Sequence, residues 1–194
     1  SRSSAASDVY KRQELHNFGF TLNEKRLYNN LNLRFDKGKL YAVVGINGSG
    51  KTTLAYLLMG CFNSGYGGAI SYNGKAQEEI NCELLRRNLV SFAEQNPISV
   101  KDFLSDRNFP SIEKKRCGGM SPGELKQLEI RRVLEKKADV YLFDEPTASL
   151  DIAHKEALIN AVKELRKHKI VIVITHDMDL ITASDEVVEL GKSD

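Results

Sequence analysis

The sequence predicts an α/β fold built on a parallel sheet, and three stretches predict it. The apolar run Leu40-Tyr41-Ala42-Val43-Val44 leads into a glycine-rich stretch, Gly45 to Thr53, and then into an apolar segment, Leu54 to Met59. That is the pattern strand, loop, helix. Ile170-Val171-Ile172-Val173-Ile174 is wholly β-branched and apolar, as suits a central strand covered on both faces. Val140-Tyr141-Leu142-Phe143 reads as a further buried strand and ends in adjacent carboxylates, Asp144 and Glu145.

Residues 1–13, at the start of the chain, are small, polar and serine-rich without a hydrophobic period; they are expected to be disordered or appended. Residues 14–194 are expected to form one domain, since 194 residues at 41% hydrophobic suffice for one sizeable core. From Leu15 to Phe35 the pattern suits strands, with clean alternation over Leu31-Asn32-Leu33-Arg34-Phe35 and a turn at Asp36-Lys37-Gly38-Lys39. This predicts a small antiparallel layer ahead of the glycine-rich loop. Gly65, Gly67 and Gly68 mark a loop, Ala69 to Tyr72 a strand, and Asn73-Gly74 a hairpin turn. Glu83 to Arg87 is a short helical piece and Leu89 to Ala93 a strand. Gln95 comes just after that strand, where an exposed loop residue and a functional amide are both open readings.

Met120-Ser121-Pro122-Gly123-Glu124 opens a helix reaching about Lys137. Ser121 suits the N-cap, Pro122 the first helical position, and Glu124 completes a capping box. That local account is sufficient for these residue types; anion binding at the same helix start is the functional alternative. Ser149-Leu150-Asp151 caps a helix running to about Arg166, and a final helix and the strand Glu186 to Leu190 end the chain.

Composition excludes several classes. The net charge is +2 with 28% charged residues, so bulk charge by itself implies no nucleic-acid or membrane partner, and the basic clusters Lys114-Lys115-Arg116 and Arg166-Lys167-His168-Lys169 read as solvated faces. No apolar run approaches the roughly 20 residues that span a bilayer, and no secretory apolar region opens the chain. Cys61, Cys82 and Cys117 are isolated and odd in number, which reads as reduced thiols in a cytosolic protein.

The chemistry concentrates in the glycine-rich stretch. Gly45, Gly50, Lys51 and Thr52 match G-x-x-x-x-G-K-[ST]. In such a loop the backbone N–H groups, with Asn47, Gly48, Ser49 and Thr53 beside the glycines, wrap a β-phosphate at a helix's positive end. Lys51 can reach β- and γ-phosphates, and the Thr52 hydroxyl can ligate Mg²⁺. Carboxylates at the end of an α/β strand lie where such sheets bind ligands: of Asp144 and Glu145, one can serve the Mg²⁺ shell and the other polarise a water. His176 ends the Ile170–Ile174 strand at the same expected edge, where it reads either as a capping histidine or as a group reaching a γ-phosphate.

Taken in sequence, these stretches resemble the ATP-binding cassette (ABC) ATPases, over nearly the whole chain after about Leu15. The resemblance implies a RecA-like P-loop NTPase core, an antiparallel β layer and a helical subdomain, here shortened to about 96–138. It implies ATP and Mg²⁺ as cofactors. Gln95 resembles the loop glutamine that touches Mg²⁺ or the attacking water, Asp144 the Mg²⁺-shell aspartate, Glu145 the general base and His176 the γ-phosphate switch. Ser121 and Gly123 resemble signature residues that complete a second subunit's site, and Asp151 the residue coupling the two sites. The family's L-S-G-G-Q is here Met120-Ser121-Pro122-Gly123-Glu124, with one N–H fewer and one negative charge more. Its adenine-stacking aromatic aligns with Leu22, so stacking is lost or passes to Phe20.

The resemblance further implies an ATP-hydrolysing subunit, loosely exporter-like in its Glu83 to Pro97 phrase. Such a subunit forms a head-to-tail dimer of nucleotide-binding domains, homomeric or heteromeric, at the cytoplasmic face of the membrane. A separate transmembrane partner would dock near Gln95 and 96–117. The alternatives are a cassette ATPase driving a cytosolic machine, a P-loop kinase acting on a small metabolite, and a nucleotide-gated interaction module.

Overall fold

Side-chain alternation and β-branching sort the chain into two sheets. The computed structural model describes residues 10–95 and 121–191. β1 (Arg12–Leu22) and β2 (Lys25–Asp36) pair antiparallel, turning through Asn23 and Glu24, both at positive φ. β4 (Tyr66–Tyr72) pairs with the other edge of β1, and β5 (Lys75–Ala76) pairs with β4 across Asn73-Gly74. That turn has φ of 53° and 78°, the two left-handed residues that match the twist of a tight hairpin. The resulting four-stranded antiparallel sheet has the order β2-β1-β4-β5.

The second sheet is parallel. β3 (Lys39–Gly45), β6 (Val90–Ala93), β7 (Val140–Asp144), β8 (Ile170–Ile174) and β9 (Glu186–Leu190) take the order β6-β7-β8-β3-β9. Between them run α1 (Lys51–Leu58), α2 (Cys82–Asn88), α3 (Pro122–Glu135), α4 (Ile152–Arg166) and α5 (Met178–Ala183). All five residues of β8 are buried, as a strand with no polar face requires. Ile170, Ile172 and Ile174 join one core with Leu54, Leu57 and Leu58 of α1 and the inner face of the antiparallel sheet. Val171 and Val173 face the other core, with Ile130 and Val133 of α3 and Leu158 and Val162 of α4.

The far end of α1 is held by two other elements. The Gln13 amide on β1 donates to Leu58 O at 2.7 Å, and the Arg86 guanidinium on α2 donates to Gly60 O at 2.6 Å and Met59 O at 3.3 Å.

Two expectations change. β1 starts at Arg12, Gln13 is fully buried, and the buried Tyr10 ring lies 6.2 Å from that of Tyr72, so the end of the segment set aside as 1–13 belongs to the sheet. Gly67 and Gly68 are strand residues of β4, not loop. They face an irregularity in β1, and a Cβ on Gly68 would sit 2.3 Å from His16 O; the glycine marks close backbone approach. Residues 96–120 of the helical subdomain expected over 96–138, with Cys117, Met120 and the Lys114-Lys115-Arg116 cluster, lie outside the described residues. Among the described residues no helix is long and apolar enough to cross a membrane.

Ile172→Ala should lower the unfolding free energy by about 2–5 kcal/mol, since the side chain is packed on all sides. Urea denaturation followed by circular dichroism checks this.

Candidate active site

The parallel register brings the chemistry-bearing stretches to one edge. Val43 pairs with Ile174, and Ile174 with Asp144, so β3, β8 and β7 end level. Past these ends the chain enters the Gly45–Thr53 loop from β3, Thr175-His176 from β8 and Glu145 from β7. The ladder continues one step past the strands, with Glu145 N–H donating to Ile174 O at 2.8 Å and Thr175 N–H to Val43 O at 3.1 Å. β6 ends beside β7, at Ala93 opposite Phe143, and delivers Glu94 and Gln95 to the same edge.

The loop turns from β3 into α1, whose N-cap is Gly50. Gly45 is obligatory, because a Cβ there would lie 2.3 Å from Leu190 O. Asn47 and Gly48 are exposed, while Ser49, Lys51, Thr52 and Thr53 are half-buried. The Lys51 ammonium arches back over the loop to donate to Gly45 O at 2.7 Å and Ile46 O at 3.0 Å. The antiparallel sheet braces the loop from outside: Tyr28 O–H donates to Gly50 O at 2.6 Å, and Lys25 Nζ to Gly48 O at 3.0 Å. Among the described residues the buried Ser49 hydroxyl has no hydrogen-bond partner, a polar atom of the loop that an incoming oxygen could satisfy.

Beside the loop, Thr52 O–H donates to Asp144 Oδ2 at 2.6 Å. Asp144 is 1% exposed. Burial pushes its carboxyl above the ordinary range, opposed by the Thr52 hydrogen bond and by the charges of Lys126 and Lys51. A hydroxyl beside a desolvated carboxylate is a hard-oxygen pair suited to Mg²⁺, which takes one or two protein oxygens and completes its shell with phosphate and water. Among the described residues no cluster of three or more His, Cys, Asp or Glu forms a protein-only metal cage.

Glu145 is a second buried acid, in the left-handed region at φ 45°. A non-glycine residue held there stores strain, a feature that concentrates at functional sites. Its Oε1 meets His176 Nδ1 at 2.7 Å, and the His176 side chain is otherwise 89% exposed. The His176 turn is anchored by Asp177, which caps α5 and pairs with Lys155 of α4 at 2.8 Å.

Ser121, Gly123 and Asp151 form a second locus. Ser121 caps α3 in the expected box: Glu124 N–H donates to Ser121 Oγ at 3.3 Å, and Ser121 N–H to Glu124 Oε2 at 2.7 Å. Gly123 packs so closely on the Ser149 turn that a Cβ would lie 2.6 Å from Ser149 O. Asp151 caps α4, accepting from His154 N–H at 2.9 Å, which together with the His154 ring holds its carboxyl below the usual range. Neither Ser121 nor Asp151 hydrogen-bonds to the Gly45–Thr53 loop within this protomer.

Phe20 is not available to stack on a base. It is 4% exposed and packs edge-on to Phe62 at 4.9 Å; Leu22 is half-buried at the neighbouring hairpin. Sequence reasoning also passed over Tyr28 and Lys126. Tyr28 carried no motif signal. Lys126 did, because it stands at the head of the buried stripe Lys126, Ile130, Val133 of α3, where helical periodicity calls for an apolar residue.

The sequence profile described as ABC transporter matches residues 28–148. The chain is 31% identical to the zinc import ATP-binding protein ZnuC of Wigglesworthia glossinidia brevipalpis, over 88% of this chain and 78% of that protein. It is 25% identical to a probable ABC transporter ATP-binding/permease protein of Haemophilus influenzae, over 91% of this chain but only 37% of that one. Among solved structures, a dimeric ATP-binding cassette in a post-hydrolysis state, bound to ADP and Pi, superposes with a TM-score of 0.74 at 20% identity, covering 92% of this chain and 94% of that one. That likeness is one of fold.

Tyr28→Phe removes a single hydrogen bond to the loop and should cost about 0.5–1.5 kcal/mol of stability. Urea denaturation of the nucleotide-free protein reads this directly.

Proposed function

The chain belongs to the ABC transporter family of ATP-binding proteins, and from that premise we propose that its carboxyl-edge cleft binds MgATP and hydrolyses it to power transport through a membrane-embedded partner. The observation that carries the reading is the meeting, on one sheet edge, of Thr52 with Asp144 at 2.6 Å and Glu145 with His176 at 2.7 Å.

In this reading the triphosphate enters the Gly45–Thr53 loop, and Lys51 exchanges the Gly45 and Ile46 carbonyls for phosphate oxygens. The N–H groups at the start of α1 point at the same anion. Thr52 and Asp144, with Gln95 from the same sheet edge, would hold Mg²⁺, which would supply neutralisation of phosphate charge. Glu145 accepts a proton from the water whose oxygen attacks the γ-phosphorus, while the bond from that phosphorus to the β-bridging oxygen breaks and ADP leaves. His176 orients the Glu145 carboxylate through Nδ1 and is exposed enough to reach the γ-phosphate.

Ser121 and Gly123 serve a second protomer. Their contacts are with Glu124 and the Ser149 turn, not with this protomer's own loop, which supports a head-to-tail partner supplying the equivalent pair. Asp151, beside the Ser149 turn that Gly123 touches, would couple the two sites. In this reading the protein works at the cytoplasmic face of a membrane, with the spanning partner docking near Gln95.

Glu145→Gln should lower turnover by about 10²–10⁴-fold while keeping ATP, because only the proton acceptor is lost. With MgATP the variant should elute as a dimer in size-exclusion chromatography with light scattering; a monomer would refute the shared site. Lys51→Ala should abolish nucleotide binding measured with a fluorescent ATP analogue, and unchanged turnover would exclude the loop.

A further inference from the structure

A lysine side chain 2% exposed in the middle of a helix is unusual, and the proposed reaction does not use it. The Lys126 ammonium has three protons to donate and four acceptors around it. They are Glu94 O, Gln95 O at 3.3 Å, Glu129 Oε2 at 3.3 Å and Asp144 O at 3.4 Å. Glu129 closes the ring, its other oxygen accepting from Glu94 N–H at 2.9 Å.

The placement of these acceptors matters more than their number. The β6–β7 ladder has its last pair at Ala93 and Phe143. Glu94 directly follows β6 and Asp144 ends β7, and their carbonyls are bridged by Lys126 from α3. One ammonium thus joins the chain that carries Gln95, the strand end that carries Asp144 and Glu145, and the helix that Ser121 opens. The cost of desolvating an ion is repaid only when its partners are well placed, so the ring holds only while all three elements keep this arrangement.

The geometry points to Lys126 as a positioning residue that fixes Gln95 against the Asp144–Glu145 strand end and ties both to α3. It touches no substrate and acts through the backbone carbonyls of Glu94, Gln95 and Asp144. This rests on the ATPase reading of the site given above.

The test uses the full chain with Lys126→Met, which keeps the packing and removes the charge, and Lys126→Gln, whose amide can still donate to two carbonyls. In nucleotide-free protein, Lys126→Met should speed amide hydrogen exchange at Glu94 and Gln95 while leaving α4 unchanged. In turnover, kcat should fall about 10–100-fold with ATP-analogue affinity nearly unchanged, the usual scale for losing a group that orients ligands. Lys126→Gln should recover part of the loss.

Gln95→Ala should lower kcat about tenfold alone but by less than about threefold in the Lys126→Met background, because residues acting as one unit are not additive. Wild-type kcat in Lys126→Met, fully multiplicative losses, a silent Gln95→Ala, or unchanged exchange at Glu94 and Gln95 would each overturn the assignment. If Lys126→Met fails to fold, Lys126→Gln carries the same comparisons. Turnover surviving Lys51→Ala would instead remove the ATPase reading, and the exchange measurement still judges Lys126 without it.

Discussion

The level ending of β3, β8 and β7 is the constraint on which the site depends. Parallel pairing sets Val43, Ile174 and Asp144 side by side, so residues far apart in sequence leave the sheet on one line. Neither the loop nor the two acids could find each other without it. The register is secured by strands with no polar face: a slip of one residue in β8 would exchange its isoleucines and valines between two separately packed cores.

The same edge concentrates buried charge. Asp144, Glu145 and Lys126 are among the few buried ionisable side chains, and each is held by specific partners, as the low dielectric requires. Asp144 leans on the Thr52 hydroxyl, Glu145 on the His176 ring, and Lys126 on carbonyls and Glu129. Charges so placed are costly in an ordinary core. In the proposed reading they meet a ligand that brings both negative charge and a metal ion.

Much of this was legible in the sequence because it was written in short, local patterns. The strand–loop–helix at 40–59, the β-branched run of β8, the Asn73-Gly74 turn and the Ser121–Glu124 box all form as their residues dictate. What escaped was set by contacts distant in sequence. Tyr10 and Gln13 look like tail until Tyr72 and Leu58 are brought against them. Gly68 reads as loop until the irregularity in β1 requires the missing Cβ. Phe20, a candidate to meet a base, turns inward because Phe62 offers it an apolar neighbour. Lys126 broke the apolar period of its own helix, and only the fold shows the carbonyls that make a buried lysine tolerable.

The far end of α1 meets a cation. A helix has opposed poles, and its carbonyl end is the negative one. Here the chain just past that end is met by a guanidinium, Arg86 at Gly60 O and Met59 O. The cation offsets the field of the negative pole at its source, while the amide pole faces the loop with no acid in its first turn. A short eight-residue helix thereby presents an electrostatically lopsided rod, its attraction for an anion set in part by a residue at the opposite end of its axis.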